Sequence, residues 1–260
     1  FVRSIRRRNE ESFWAPIPRQ LNLMRLSMAG VLEGIRVPAR REVTLTPYVL
    51  GAARRDYTTT LGAEYPREWG ADAKLGLSPS LTLDLTYNTD FAQVEVDAQQ
   101  TNLTRFQLFF PEKRPFFLEN GGTFSAGTPQ AVDLFFSRKI GIGPGGFPVP
   151  IIGGGRLSGK VGGLTVGGLQ LFTDDITGVA ENSYSVGRLI RELPNRSRVG
   201  AIFVQRMATR NAADRNRTYG LDTRIGIGQP GTIDAWVAAT ETPGRTGRNE
   251  SFNVRAAYLT

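Results

Sequence analysis

Residues Gly70-Ala-Asp-Ala-Lys-Leu-Gly-Leu77, then Ser78-Pro-Ser80, then Leu81-Thr-Leu-Asp-Leu-Thr-Tyr-Asn88, form the stretch that decides the predicted fold. Apolar residues alternate with polar or small ones in both long runs, which is the side-chain period of a β-strand with two different faces. The Ser-Pro-Ser sequence is typical of a turn, because proline fixes φ and serine bonds to the nearby backbone. The stretch therefore predicts an antiparallel hairpin with one apolar and one polar face.

The same alternation recurs along much of the chain. It is clear at 42–51, 218–227, 233–239 and 252–258, and less regular at 29–36, 155–162, 163–173, 183–193 and 197–208. We find no convincing capped 3.6-residue stripe of the kind that marks an amphipathic helix. We therefore expect an all-β protein whose strands form an antiparallel meander.

The chemistry of the two faces decides between a soluble sandwich and a membrane barrel. The polar side bears charged and amide residues and many of the 30 glycines, as expected for a watery lumen. A membrane-spanning strand needs only about 9–11 residues, so a mean hydropathy of -0.23 is compatible with a barrel. We predict an outer-membrane β-barrel. The residues predicted to face its lumen are Asp72, Lys74, Asp84, Asn88, Asp90, Asp222 and Arg224.

Aromatic residues near the strand ends fit the same interpretation. Tyr48, Trp69, Tyr87, Tyr219 and Tyr258 lie near or beyond segment ends, although Tyr48 is on the polar side. Such rings are typical of interfacial girdles, and ordinary packing of aromatic residues in strands explains them equally well.

Composition excludes several kinds of chemistry. The chain has no cysteine and no histidine, which removes thiolate nucleophiles, Ser-His-Asp triads, disulfides and the usual zinc sites. We expect no metal and no cofactor. The net charge of +8 raises the question of nucleic acid, but the arginines are scattered through alternating segments. Arg6-Arg7-Arg8 is the one cluster, and we interpret it as a solvated turn or barrel rim, so no nucleic-acid partner is expected.

The rhythm of strands is interrupted at 99–150, where phenylalanine is dense and charges are closely spaced. We predict four regions: 1–28 as the end of a preceding module or a linker, 29–98 as the first barrel strands, 99–150 as an insertion that forms a loop or plug, and 151–260 as further strands. Buried charges need partners, so the charges between the aromatic pairs predict a structural ion-pair network or a ligand-binding constriction. Its predicted members are Glu112, Lys113, Arg114, Glu119 and Arg138.

Three further motifs suggest chemistry. Gly141–Gly146 matches a dinucleotide fingerprint, but the Phe-Pro-Val-Pro sequence that follows cannot begin a helix. Gly154–Lys160 resembles a phosphate loop, but Val161 stands where Ser or Thr would hold magnesium, and the next residues predict a strand. Asp84, Asp90, Glu95 and Asp97 are the candidate carboxylates for glycoside hydrolysis, with solvated lumen residues as the simpler interpretation for Asp84 and Asp90.

The central stretch is similar to a bacterial outer-membrane family without an assigned activity. The resemblance rests on Leu81–Asp97, Asn102–Phe106 and Phe109–Glu119, and continues at Phe135–Gly141, Arg156–Lys160 and Arg6–Trp14. In that family a carbohydrate-binding module of the family 9 type precedes a C-terminal β-barrel domain of unknown function. The resemblance implies that this chain holds the join and the first part of the barrel. We expect an internal piece of a longer protein, with either closure by chain outside this piece or an incomplete sheet.

Three functions remain open on the sequence. The leading hypothesis is a surface protein of the bacterial outer membrane that contacts membrane lipid and binds, anchors or admits extracellular glycan without chemistry of its own. The second is a carbohydrate-active hydrolase that uses lumen-facing carboxylates, and the third is a soluble β-sandwich adhesion module.

Overall fold

The computed structural model describes residues 42–51, 67–89, 111–129, 131–144, 148–228 and 230–258, the short segments 2–5, 10–13, 33–34 and 62–63, and positions 7, 53, 55 and 65. It divides into two units, Phe1–Arg40 and Arg41–Thr260. In the first unit, strand β1 (Val2–Ile5) pairs antiparallel with β2 (Glu10–Phe13). Arg6 and Arg8, and most of the predicted strand at 29–36, lie outside the described residues.

The second unit is built on a ten-stranded antiparallel sheet and a long insertion between two of its strands. A small hairpin inside the insertion supplies two further short strands. In chain order the strands are β3 (Val43–Gly51), β4 (Arg67–Ser78), β5 (Leu81–Tyr87), β6 (Gly127–Thr128), β7 (Val132–Asp133), β8 (Ile151–Val161), β9 (Leu164–Thr173), β10 (Asn182–Leu193), β11 (Ser197–Ala208), β12 (Asn211–Ile227), β13 (Gly231–Glu241) and β14 (Glu250–Tyr258).

The predicted all-β fold is confirmed. The order in the large sheet is β3-β4-β5-β8-β9-β10-β11-β12-β13-β14, and each strand pairs antiparallel with its neighbours. The predicted hairpin is β4–β5, in which Lys74 lies opposite Asp84. Within the described residues the sheet is not closed, because β3 and β14 each have one unpaired edge. The ten strands therefore form an antiparallel meander.

The connections at the two ends of the sheet differ in length. At one end the turns are short, at 79–80, 162–163, 194–196 and 228–230. At the other end the chain between strands covers 52–66, 88–150, 174–181 and 242–249, with one short turn at 209–210. Short turns at one end and longer loops at the other are typical of outer-membrane barrels.

Alternating residues of the strands form two faces of opposite character. The face that we call the apolar face presents aliphatic and aromatic side chains that are exposed, with Val49 at 83% and Phe252 at 78%. The opposite face, which we call the covered face, includes Asp84, Arg156 and Arg188, all of which are buried. The side of the sheet that a soluble protein would bury is thus the exposed one.

The insertion, by which we mean the described residues 111–129 and 131–144, packs on the covered face. It contains the four-residue helix α1 (Pro115–Leu118), which the sequence analysis did not predict, and 3-10 turns at Gly121–Phe124 and Ser137–Lys139. Its apolar side chains form the hydrophobic core with the middle strands of the sheet. The buried members of this core are Phe117, Phe124, Ala126, Ile140, Ile151, Leu169, Leu171, Val186 and Ile202.

Contact with the sheet is close at the centre of the insertion. A Cβ on Gly167 of β9 would lie 2.9 Å from the ring of Phe124 and 3.0 Å from the side chain of Thr123. Glycine is therefore what lets the insertion lie directly on the strand, since any larger residue would push it away from the sheet.

Candidate functional site

Arg156 joins the insertion to the first half of the sheet. It lies on β8 opposite Asp84 of β5, and its guanidinium Nη2 and Nε donate to Oδ2 of Asp84 at 2.7 and 3.2 Å. Its Nη1 donates to the backbone carbonyl of Glu119 in the insertion. The Arg156 side chain is 2% exposed. Its buried charge is neutralised by the carboxylate of Asp84, and its orientation is fixed by the backbone carbonyl of Glu119.

Arg188 makes the equivalent connection in the second half of the sheet. It lies on β10 and donates from Nη2 to Oδ2 of Asp222 at 3.0 Å, although Asp222 is two strands away on β12. The intervening strand presents Gly200 between them, where a Cβ would lie 2.5 Å from Arg188 Nη1. Arg188 Nη2 also contacts the carbonyl of Ser125 in the insertion at 3.4 Å. A glycine on the middle strand thus permits an ion pair that spans three strands.

A third arginine organises the insertion from within. Arg114 is buried and forms a two-point ion pair with Glu112, with Nε to Oε1 at 2.8 Å and Nη2 to Oε2 at 2.7 Å. It also donates to the carbonyls of Ile140 at 2.6 Å and Ser137 at 2.7 Å, and its guanidinium lies 4.2 Å from the ring centroid of Phe117. Two distant parts of the insertion therefore meet at one side chain.

The electrostatics of Glu112 follow from these contacts. Burial alone would raise the pKa of this carboxyl, but hydrogen bonds from Arg114 and Ser137 and the charge of Arg114 together hold the pKa below its ordinary value of 4.5. The folded state thus favours the ionised form of Glu112 more than the unfolded chain does.

We expect the insertion to loosen in acid. Because the pKa of Glu112 is lower in the folded state, its ionisation stabilises that state above the unfolded pKa, and this contribution is lost as the pH falls through the folded pKa. Hydrogen exchange of peptides within 111–144, corrected for the intrinsic effect of pH on exchange, measures this loss.

Glu112→Gln is the control for the acid effect. This variant should exchange faster at neutral pH and should lose that part of the pH dependence which comes from Glu112. Equal exchange profiles for the two proteins at all pH values would contradict the assignment.

The predicted ion-pair residues divide into two groups in the structure. Glu112 and Arg114 pair with each other, and Arg138 Nη1 donates to the carbonyl of Pro111 at 3.0 Å. The backbone N–H of Lys113 donates to Glu112 Oε1 at 3.0 Å. Glu119 is separate, since its carboxylate pairs with Lys74 of β4. The sequence analysis placed Glu119 with Glu112 and Arg114, and the structure instead uses it to join the insertion to the sheet.

The residues predicted to face a lumen lie on the covered face where they belong to a described strand. Asp72, Lys74 and Asp84 are on β4 and β5, where Asp72 accepts a hydrogen bond from Thr86 at 2.6 Å. Asp222 and Arg224 are on β12, where Arg224 pairs with Asp234 of β13 at 2.5 Å. Asn88 follows β5 and donates from Nδ2 to the carbonyl of Trp69 at 2.5 Å. The carboxylate candidates Asp90, Glu95 and Asp97 lie outside the described residues.

The sequence analysis did not place Arg156 or Arg188 among the site residues. Arg156 was considered only within the glycine-rich segment 154–160, which forms part of strand β8, and Arg188 was not singled out. The available signal was a lone arginine directly after glycine on the polar register of a strand. That signal is weak, because arginine in such a position is ordinarily solvated.

A cavity of about 310 Å³ lies between the insertion and the sheet, next to these contacts. Its walls combine phenylalanine rings with ionic groups. The wall includes Glu112, Phe117, Phe124, Asp133, Phe135 and Arg156. Aromatic surfaces beside a few polar groups are typical of small-molecule sites and suit the apolar and hydroxyl surfaces of sugars.

The hydrolase hypothesis gains little from this geometry. Asp84 is buried and its Oδ2 accepts two hydrogen bonds from Arg156, so this carboxylate is engaged in a structural ion pair and is not free to contact a substrate. Among the described residues, no group of three or more acidic side chains could hold a metal ion.

In the described part of the chain, no helix is long and apolar enough to cross a membrane.

The same stretch that contains the insertion gives a match to a protein family. Residues 38–151 match a family model described as a domain of unknown function (DUF5916). No curated protein and no solved structure matches the chain. The matched range contains the motif from Leu81 to Glu119 on which the resemblance mainly rests, and the family description assigns no activity.

Proposed function

We propose that the ten-stranded sheet is part of the wall of a β-barrel in the bacterial outer membrane, with the insertion inside the barrel. The observation that supports this most is the distribution of the two faces: Leu, Val and aromatic side chains are exposed, while the buried ion pairs lie on the covered face. In lipid this arrangement is favourable, because apolar side chains meet hydrocarbon and charges are enclosed.

Three further features support the proposal. The ten strands are long, from Leu81–Tyr87 to Asn211–Ile227, and most meet the roughly 9–11 residues that a membrane-spanning strand needs. Short turns join the strands at one end of the sheet, and longer connections predominate at the other end. Trp69 and Tyr87 lie together on the apolar face with ring centroids 5.4 Å apart, near the end with the longer connections, as in an interfacial girdle.

Closure of the barrel follows from the same physics. Lipid offers no partners for the unpaired backbone groups of β3 and β14, so we propose that these edges pair with each other or through additional strands. The insertion would then occupy the lumen, and its Phe-lined cavity would bind extracellular glycan or admit it, with no bond made or broken.

The membrane assignment is tested by tryptophan quenching in bilayers that contain lipids brominated on their acyl chains. Two single-tryptophan proteins are compared: one keeps Trp69 on the apolar face, and the other keeps Trp236 on the covered face. We expect brominated chains to quench Trp69 strongly and Trp236 weakly, since only the former meets hydrocarbon. Equal quenching, or a full chain that stays monodisperse without detergent, would contradict the proposal.

The role in glycan handling is tested on the same membranes. Proteoliposomes should swell in neutral oligosaccharides if the barrel admits them, and they should retain labelled oligosaccharide without swelling if the insertion binds glycan and blocks passage. The absence of both swelling and retention would contradict the role in glycan handling, and the membrane assignment would be unaffected.

A further inference from the structure

A second cavity, of about 240 Å³, lies between the tip of the insertion and strands β11–β14. The tip comprises residues 125–129, and it is held to the sheet by a hydrogen bond from Trp236 Nε1 to Thr128 Oγ1 at 2.9 Å. Trp236 is 8% exposed and forms one wall of the cavity. The cavity is therefore bounded by two elements whose relative position is fixed.

The charges around this cavity do not balance. Asp222 is paired with Arg188, and Asp234 is paired with Arg224, so both carboxylates in the wall are already neutralised. Two more arginines in the wall, Arg198 and Arg255, have no ion-pair partner within the described residues. The cavity thus has an excess of positive charge, although Arg255 lies directly opposite Asp234 in the sheet.

The environment of Arg198 adds two independent costs. Its register partner on β12 is Arg224, and like charges directly opposite each other on one face destabilise a sheet. Its Nε is shielded from solvent and has no hydrogen-bond acceptor within the described residues. A buried donor without an acceptor destabilises the fold, because it has lost its hydrogen bond to water without a replacement, so such a group calls for a partner.

We propose that this cavity is a binding site for a small ligand that bears an oxyanion, either a carboxylate or a phosphate. One anionic group beside Arg198 would supply the acceptor that Arg198 Nε lacks and would reduce the repulsion between Arg198 and Arg224, while Arg255 adds positive charge to the wall of the same cavity. The planar guanidinium fork matches both kinds of oxyanion with two parallel hydrogen bonds. The volume fits one sugar acid or a phosphate ester, with Trp236 as a flat wall for the remainder of the ligand.

This inference requires the insertion to lie on the covered face, and it does not require the membrane assignment. Its failure is therefore distinguishable from that of the proposed function, which depends on the quenching of Trp69.

The test is calorimetric titration of the full chain in nonionic detergent at low salt, with glucuronate, inorganic phosphate and glucose as separate probes. We expect saturable binding of at least one of the two anions and none of glucose. Arg198→Gln should weaken anion binding by about tenfold or more, because the variant loses a hydrogen bond between two charged groups. Binding of glucuronate alone identifies a sugar acid as the source of the anion, and binding of phosphate alone identifies a phosphorylated ligand.

Two variants control for folding and for bulk charge. Arg255→Gln changes an exposed residue on β14 and should also weaken binding, so the proposal does not depend on the folding of one variant. Arg248→Gln removes the same charge from the exposed connection at 242–249 and should bind like the unmodified protein. No anion binding, equal binding of glucose, or equal weakening by all three variants would overturn the proposal.

Discussion

Replacing Arg188 with methionine should lower the free energy of unfolding by about 3–5 kcal/mol, because the change leaves a carboxylate in the sheet without its partner. The Arg188 side chain is 1% exposed and that of Asp222 is 12% exposed, so water cannot replace the lost contact fully. The contact with the carbonyl of Ser125 is lost as well. Urea unfolding in nonionic detergent measures the stability, and hydrogen exchange within 111–144 measures release of the insertion.

Two further proteins make the Arg188 experiment specific. Arg191→Met changes an exposed arginine on the same strand and should alter stability by less than about 0.5 kcal/mol. The double variant Arg188→Met with Asp222→Asn removes both charges and should recover much of the loss, since no unpaired ion remains. If Arg188→Met and Arg191→Met have equal stability, the ion pair does not stabilise the fold as argued.

Replacing Leu221 with arginine should prevent stable insertion into bilayers or cost about 2–4 kcal/mol there, because the new charge would face hydrocarbon near the middle of a strand. Leu221 lies on the apolar face of β12, opposite Ala201 and Val237, and is 60% exposed. The measurement is unfolding from lipid vesicles, together with the fraction of protein that becomes resistant to extraction from the membrane.

Leu118→Arg is the matched control for this experiment. Leu118 is a similarly exposed leucine, at 55%, but it belongs to helix α1 of the insertion. In water both substitutions would cost little, whereas in a membrane only the change at 221 places a charge in lipid. Equal stabilities of the two variants in vesicles would show that the apolar face does not contact hydrocarbon.

The insertion shows where sequence reasoning reached its limit. The density of phenylalanine and charge at 99–150 predicted an irregular segment, and Glu112 and Arg114, which are two residues apart in the chain, form an ion pair in the structure. Glu119 was grouped with them for the same reason, but its carboxylate contacts Lys74 of β4. Proximity in the chain is a good guide inside a compact loop and a poor one where the loop meets the sheet.

The sequence by itself determined the alternation, the strands and the chemical character of each face, because the pleat of a β-strand places every second side chain on the same side whatever the strand packs against. It thereby placed Asp84 and Asp222 on one polar face. Only the tertiary structure decided which arginine each of them meets: Arg156 is 72 residues from Asp84, and Arg188 reaches Asp222 across Gly200 on an intervening strand. Those pairings depend on the register between strands and on where the insertion lies, and neither is encoded in a local period.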